Sequence, residues 1–171
     1  EQLILSMLKI TRLDTGNIIF EKKSCRVSEL IAHSVNELTA RAKNENKQIQ
    51  IDGDGEQKLI CDMEWTGEAI GNIVKNALDH TQAGGIVRIT WERTPAMFRI
   101  FISDNGNGIV PEDIYHIFKR FYRSKHSIDT QGIGLGLPLA KSIIEGQNGV
   151  ISVQSEVGKG TLFTLSFLTE L

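Results

Sequence analysis

Two asparagines, Asn72 and Asn76, stand four residues apart in the segment GNIVKNALDHT at residues 71–81. In a helix this spacing places both side chains on one side. Amide oxygens suit a hard cation such as Mg²⁺, which takes oxygen ligands and keeps several waters. Taken alone, such a pair is more typical of solvated amides or of amides that bond core groups. The rest of the chain has to decide between these interpretations.

A carboxylate follows a predicted strand in the segment SDNGNGI at residues 103–109. Asp104 emerges at the end of that strand, and Gly106 and Gly108 allow a backbone turn that larger residues resist. The same composition is common in surface turns. It also fits a carboxylate that accepts a hydrogen bond from the amino group of a nucleobase, beside glycines that leave room for a flat ring.

Three glycines alternate with apolar residues in GIGLGL at residues 132–137, and this segment runs directly into a predicted helix. A tight turn is one explanation of such a cluster. Phosphate binding is another, because the backbone N–H groups of a first helical turn are unpaired and attract anions. The G-x-x-x-x-G-K-[ST] pattern and the G-x-G-x-x-G spacing of two well-known phosphate loops do not occur in the sequence.

Aromatic and basic residues interleave in IFKRFYRSKH at residues 117–126. One interpretation is an aromatic face that packs on the core, with the cations in water. The other is a hinge helix beside a mobile lid, with a cation for a phosphate. The polar segment SKHSIDTQ that follows has no core pattern, which suits a lid. The three aromatic residues at helical spacing and the four cations are Phe118, Phe121, Tyr122, Lys119, Arg120, Arg123 and Lys125.

Hydrophobic periodicity predicts the elements that position these residues. Helices are predicted at residues 1–14, from Ser28 to about Asn46, and at residues 63–80 and 135–146. Strands are predicted at residues 48–52, 86–93, 97–104, 150–156 and 161–167, with shorter ones within residues 18–27 and 58–62. This order, with its antiparallel hairpins, predicts an α+β fold in which a mixed sheet carries helices on one face.

Composition excludes several classes of protein. A chain of 171 residues is long enough for one domain with a core. Its net charge of −2 gives no electrostatic case for a nucleic-acid binder, and no apolar run approaches the ~20 residues of a membrane span. Cys25 and Cys61 have no metal-ligand spacing and are expected to be free thiols. Because the chain begins with Glu1 rather than Met, we expect it to be part of a longer protein.

In this order the four patches resemble the catalytic, ATP-binding domain of a sensor histidine kinase of the two-component type. The resemblance covers about residues 20–171. NIVKNALDHT is similar to the N box of that family, DNGNGI to the G1 box, IFKRFYR to the F box and GIGLGL to the G2 box, and GKGT at 158–161 to its last glycine motif. Residues 1–17 resemble the end of the second dimerisation helix, which leaves residues 18–171 as the catalytic domain.

The resemblance implies a Bergerat-type ATP-binding fold, a two-layer sandwich in which ATP lies between the helices and a lid. Asn76 is then the main Mg²⁺ ligand, and Asn72 helps to hold the metal or the phosphates, so these two are the catalytic residues. Asp104 recognises the adenine amino group, with Thr161 near the base through water. The other residues implied to contact the nucleotide are Asp79, His80, Gly106, Gly108, Ile109, Phe121, Tyr122, Arg123, Lys125, Gly132, Gly134, Leu135, Gly136 and Leu137.

One departure concerns Asp79 and His80, where many family members have Lys and Tyr. That Lys often touches a phosphate, whereas the charge of Asp79 would repel one. Two alternatives stay open: another cation compensates, or the affinity for nucleotide is modest.

The family phosphorylates a His that an acidic residue follows. None of the four histidines, in AHSV, DHTQ, YHIF and KHSI, has this context, so we expect the acceptor to lie upstream of Glu1 and the fragment not to phosphorylate itself. The resemblance further implies a response regulator as partner, a self-dimer through upstream helices, and a cytoplasmic domain of a membrane-anchored sensor.

Three other functions are less well supported. Gyrase-like and mismatch-repair ATPases place a Glu four residues before the N-box Asn, where this chain has Asn72. A domain that binds partners but no nucleotide would not need the intact glycines and Asn76. A Rossmann-type dehydrogenase is disfavoured by the missing fingerprint and the hairpins.

Overall fold

The computed structural model describes residues 1–125 and 134–169. The helix predicted at residues 63–80 and the strands predicted at 86–93, 97–104 and 150–156 have the predicted bounds. Within the described ranges the elements are α1 (Gln2–Asp14), β1 (Lys23–Arg26), α2 (Val27–Val35), a 3₁₀ turn (Asn36–Leu38), α3 (Thr39–Asn44), β2 (Gln48–Asp52), β3 (Lys58–Cys61), α4 (Met63–His80), β4 (Ile86–Arg93), β5 (Met97–Asp104), α5 (Pro111–Ile114), α6 (Gly136–Gly146), β6 (Val150–Glu156) and β7 (Gly160–Leu168).

Five strands form one mixed sheet in the order β2-β4-β5-β7-β6. β2 runs parallel to β4, and the other neighbouring strands are antiparallel. Successive side chains of a strand point to opposite faces, and alternate residues such as Phe98, Ile100 and Ile102 of β5 are buried. Helices α4 and α6 pack against the sheet, and α2 packs against α4. The predicted α+β architecture is confirmed.

Helix α4 begins at a cap that joins distant segments. The Asp62 carboxylate accepts hydrogen bonds from the N–H of Trp65 (3.1 Å) and the N–H of Glu21 (2.8 Å). Gln147, which follows α6, accepts from the N–H of Asp62 (2.8 Å) and donates to the hydroxyl of Thr66 (2.9 Å). Because these buried polar groups satisfy one another, the start of α4 is fixed relative to the end of α6.

The single helix predicted from Ser28 to about Asn46 is wrong in detail, since this segment consists of α2, a 3₁₀ turn and α3. The expected capping by Ser28 does not occur, because α2 already begins at Val27 and the Ser28 hydroxyl donates to the Gly55 carbonyl (3.2 Å). At the break, the hydroxyl of Thr39 donates to the carbonyl of Asn36 (2.9 Å). Such local bonds offer the backbone an alternative to a continuous helix.

Helix α1 lies against α6. Its predicted apolar stripe is buried only in part: Ile10 is 1% exposed, whereas Leu3 is 40% exposed. Lys9 forms an ion pair of 2.6 Å with Glu68 of α4. Within residues 1–125 and 134–169, no helix combines the length and the apolar character that crossing a membrane requires. The assignment of residues 1–17 to a dimerisation helix stays a prediction.

The strands β1 and β3 form a separate antiparallel pair. Cys25 and Cys61, one on each strand, are buried free thiols, as expected. Burial, reinforced by the neighbouring Cys25, raises the pKa of Cys61 to about 12. Since a thiolate is the reactive form of cysteine, this thiol is inert at neutral pH.

Replacing Asp62 by alanine should lower the free energy of unfolding by about 1–2 kcal/mol, because the helix loses its cap and two backbone donors lose their acceptor. Urea denaturation measures this. The matched control is Asp52→Ala, which removes only an exposed ion pair with Arg88 (3.5 Å) and should change stability by less than about 0.5 kcal/mol. Equal unfolding midpoints for the two variants would contradict the structural role of the cap.

Candidate nucleotide-binding site

Helix α4 presents four of the predicted site residues as partly buried side chains: Asn72, Asn76, Asp79 and His80. Residues four apart share a side of a helix, and residues seven apart differ by only about 20° around it. In the described part of the chain, neither asparagine amide forms a side-chain hydrogen bond with another residue. Both amides are therefore available to a ligand.

The N-terminus of α6 meets this face of α4. A Cβ added to Gly136 would lie 3.9 Å from Cβ of Asn72. The residue before the helix, Leu135, provides no side-chain cap, so the first N–H groups of α6 have no side-chain acceptor of that kind. Leu135 and Leu137, which the resemblance implies to contact the nucleotide, are buried and anchor this end to the core.

Gly134 marks the point at which the predicted lid rejoins the domain. Its φ of +76° lies in the left-handed region, which glycine adopts without a steric cost. Its carbonyl accepts a hydrogen bond from the N–H of Phe121 (2.9 Å), so the described segments on either side of the predicted lid are in contact. The predicted phosphate-binding Gly132, and most of the predicted lid, lie outside the described residues.

At the opposite end of the site, Asp104 ends β5 and lies opposite Thr161 of β7. Its Oδ1 accepts a hydrogen bond from the N–H of Gly106 (2.9 Å). Burial raises the pKa of the Asp104 carboxyl above its usual value, and this bond and the charge of His80 only partly offset that effect. A half-buried carboxylate with unused acceptor positions suits recognition of a base amino group.

The glycines of the loop after β5 permit contacts between backbones. A Cβ at Gly106 would overlap the carbonyl of His80, and a Cβ at Gly108 would overlap the carbonyl of Glu156. The N–H of Asn107 also donates to the His80 carbonyl (3.2 Å). The loop is therefore docked on the C-terminal end of α4, and the expectation that these glycines shape the pocket stays a prediction.

Ser155 links the loop after β5 to β7 beside Asp104, and the sequence analysis did not single it out. Its Oγ accepts from the N–H of Ile109 (2.7 Å) and donates to the carbonyl of Gly160 (3.0 Å). It also lies 2.8 Å from the hydroxyl of Thr161. Since the single hydroxyl proton of Ser155 is engaged, Thr161 donates in this pair. The hydroxyl oxygen of Thr161 then remains a hydrogen-bond acceptor beside Asp104.

The predicted hinge helix with a common aromatic face is wrong. Helix α5 ends at Ile114, and turns follow. Phe118 packs edge-on against Phe163 with ring centroids 6.3 Å apart, whereas Phe121 is 52% exposed with a φ of +63°. Arg123 and Lys125 are exposed. Helical spacing in the sequence misled here because the chain leaves the helix before these residues.

Asp113 is a further residue that the sequence did not single out. It is buried, and its two carboxylate oxygens accept hydrogen bonds from the hydroxyls of Tyr122 and Ser124. The start of the predicted lid is thereby tied to α5. The neighbouring Arg120 forms an ion pair with Asp14 at the end of α1.

The sequence matches the family described as "Histidine kinase-, DNA gyrase B-, and HSP90-like ATPase" over residues 61–171. This match covers more than half of the chain and contains α4, the loop after β5 and the start of α6. The chain belongs to this family.

Individual relatives agree with this assignment. Sensor histidine kinase RppB of Synechocystis sp. is 33% identical over 167 residues, covering 96% of this chain and 37% of that protein. Sensor-like histidine kinase SenX3 of Mycobacterium tuberculosis is 28% identical over 166 residues, covering 96% of this chain and 40% of that protein. The chain thus spans about two fifths of the length of these relatives.

The fold agrees as well. The structure of the Acinetobacter baumannii histidine kinase AdeS superposes with a TM-score of 0.82 at 19% identity, covering 98% of this chain and 77% of that one. The resemblance to a sensor histidine kinase catalytic domain and the expected Bergerat-type fold are confirmed.

Asp79, which stands where many family members have Lys, has an ion-pair partner in the structure. Nη2 of Arg41 lies 2.6 Å from Oδ1 of Asp79, and Nε of Arg41 lies 2.6 Å from Glu45. Lys47 bonds both Glu45 and the carbonyl of Leu78, each at 2.7 Å. Arg41 thus forms an ion pair with Asp79, while the two alternatives, compensation by another cation or a modest affinity for nucleotide, stay predictions.

The raised pKa of Asp104 predicts a pH dependence. When the pH rises above the usual Asp pKa of about 4, the unfolded chain releases the proton of the Asp104 carboxyl. The folded chain retains this proton until the pH passes the raised pKa. The folded state therefore loses stability as the pH rises through that window, relative to Asp104→Asn. Urea denaturation from pH 3.5 to 7 should show Asp104→Asn gaining stability over the wild type with rising pH. A pH-independent difference would contradict this.

Proposed function

We propose that this chain is the ATP-binding catalytic domain of a sensor histidine kinase, which transfers the γ-phosphate of ATP to a histidine in another part of the protein. The observation that supports this most directly is the arrangement along α4. Its amide-bearing Asn72 faces the N-terminus of α6, Asn76 follows one turn later, and the C-terminal end of the helix contacts the loop after Asp104. One helix thus joins a phosphate-binding end to a base-binding end.

The base end suits adenine. The adenine amino group is a hydrogen-bond donor, whereas guanine has an acceptor at the corresponding position. Asp104 and the oxygen of Thr161 are acceptors, and Gly106 leaves the space beside Oδ1 of Asp104 free of a side chain. The phosphates then lie at the start of α6, where N–H groups and the helix dipole attract anions.

The donor set fits Mg²⁺ bound together with a nucleotide. Among the described residues there is no cluster of three or more His, Cys, Asp or Glu that could hold a metal ion. The amide oxygen of Asn76 would therefore act with phosphate oxygens and water, a ligand set that Mg²⁺ favours. Asn72, one turn earlier, would hold the metal or the phosphates. Bound Mg²⁺ supplies charge neutralisation for phosphoryl transfer.

The acceptor is proposed to be a histidine outside residues 1–171. The four histidines present are each followed by Ser, Thr or Ile rather than by an acidic residue. This domain contributes the position of the ATP and the neutralisation of its charge, which dominate catalysis of phosphoryl transfer. An aspartate of a response regulator would then receive the phosphoryl group.

Residues 1–17 are proposed to be the end of a dimerisation helix. Helix α1 exposes several large apolar residues, which a helical bundle in a self-dimer would bury. The exposed apolar residues of α1 are Leu3, Ile4, Leu5 and Leu8. We further propose that the domain works in the cytoplasm of a membrane-anchored sensor, with the anchor outside this sequence.

Position 72 favours a kinase over a water-dependent ATPase within the same family. Water is a weak nucleophile that needs a general base, and a neutral amide such as Asn72 cannot act as one. An imidazole nucleophile needs less activation. Rapid ATP hydrolysis by the chain alone would contradict the kinase assignment.

Nucleotide binding tests the proposal first. We expect calorimetry to show that Mg²⁺ strengthens binding of ADP and of a non-hydrolysable ATP analogue. In Asn76→Ala this gain should fall at least about tenfold, because a ligand to a charged group is lost. Asn44→Ala, an exposed amide in α3, is the control and should behave like the wild type. An undiminished gain in folded Asn76→Ala would disprove the metal role.

Base selectivity tests the other end of the site. Asp104→Asn should reduce the preference for ATP over GTP by about tenfold, because an amide can donate as well as accept and therefore tolerates the guanine oxygen. Competition of the two nucleotides for the same site, measured with a fluorescent ADP analogue, gives the ratio of affinities. A ratio equal to that of the wild type would assign base recognition to another group.

A further inference from the structure

The residues of α4 lie in a fixed order between the two ends of the site. Asn72 faces the start of α6, where the proposed phosphates lie. The carbonyl of His80 contacts the loop after Asp104, where the proposed base lies. With a rise of about 1.5 Å per residue, Asp79 is one turn beyond Asn76 towards the base. In a nucleotide the ribose connects base and phosphate, so Asp79 is level with the sugar.

The carboxylate of Asp79 is held in place and only partly occupied. Oδ1 accepts a hydrogen bond from Nη2 of Arg41 (2.6 Å), and the side chain keeps 24% of its surface exposed. Among the described residues, Oδ2 has no hydrogen-bond partner. Arg41 is itself fixed through Glu45 and Lys47. Because less rotational freedom remains to be lost, such a carboxylate is ready to bind a ligand.

We propose that Asp79, held by Arg41, recognises the ribose of the bound nucleotide by accepting a hydrogen bond from its 2′- or 3′-hydroxyl. This rests on the proposed nucleotide-binding function. Position 79 would thus serve the sugar in this chain, rather than a phosphate as a lysine would.

The chemistry of the group selects the ribose among the parts of a nucleotide. A carboxylate accepts hydrogen bonds, and its negative charge repels phosphate oxygens. The ion pair with Arg41 neutralises the charge of Asp79 and thereby removes most of its repulsion of the phosphates. The ribose hydroxyls are neutral donors, and carboxylates are suited to them, as in dinucleotide-binding folds. A bond between a hydroxyl and a charged acceptor is worth more than a neutral one.

The test compares ADP with 2′-deoxy-ADP and 3′-deoxy-ADP, each titrated by calorimetry with Mg²⁺ present. We expect the wild type to bind at least one deoxy nucleotide about tenfold more weakly than ADP. In Asp79→Ala the ratio of the affinity for ADP to the affinity for that deoxy nucleotide should fall towards one. The ratio is the useful quantity, because removing the charge of Asp79 alters the affinity for all three nucleotides together.

The matched control is Glu68→Ala, which removes another acidic residue of α4 whose ion pair has the same length, 2.6 Å, but faces Lys9 of α1. Its ratio should equal that of the wild type. Thermal unfolding establishes that each variant is folded, and Asp79→Asn, which keeps the size of the side chain, replaces Asp79→Ala if the latter is not. The ratio should fall in Asp79→Asn as well.

The outcomes separate the two proposals. Failure of the wild type to bind ADP would overturn the proposed nucleotide-binding function. Tight ADP binding without discrimination between ribose and deoxyribose would overturn only the role of Asp79. If folded Asp79 variants still discriminate between ribose and deoxyribose, the role of Asp79 is likewise overturned, because another group would then recognise the sugar.

Discussion

The close approach of two backbones, at the C-terminal end of α4 and in the loop after β5, is the constraint on which the site depends. The His80 carbonyl lies where a side chain on Gly106 would have to be, and it accepts the N–H of Asn107. This contact sets the distance between the loop after β5, at the proposed base-binding end, and helix α4, which carries the two asparagine amides. The start of α4 is also fixed, through Asp62 and Gln147. Both ends of the helix are therefore held by contacts with other segments of the domain.

Charge is balanced locally around this helix rather than by an excess of cations. Asp79 is paired with Arg41, Glu45 is paired with both Arg41 and Lys47, and Lys47 also caps a carbonyl at the end of α4. Asp104, in contrast, has no ion pair in the described residues and is half-buried, and burial raises the pKa of its carboxyl. One carboxylate of the candidate site is therefore held by a cation and the other is partly shielded from solvent.

Much of the architecture could be predicted because its signals are local. Alternation of apolar residues gave the bounds of β4, β5 and β6, and the Gly and Asn motifs identified the family. The failures arise from specific side-chain contacts that hydrophobic periodicity does not reveal. The break between α2 and α3 involves a local bond of Thr39, whereas the pairing of Arg41 with Asp79 and the bonds of Asp113 join separate segments. The ring spacing of Phe118 and Phe121 misled because it assumed a helix that ends earlier.

Helix α6 packs against both α1 and α4, and its first turn is a wall of the candidate site. A packed helix moves largely as a unit, so a displacement imposed by α1 reaches the residues beside Asn72. Any free energy of coupling between occupation of the site and the docking of α1 is reciprocal by linkage. A ligand that draws the first turn of α6 towards α4 changes how tightly Ile10 and its helix are held, by the same factor with which the position of α1 changes the affinity for the ligand.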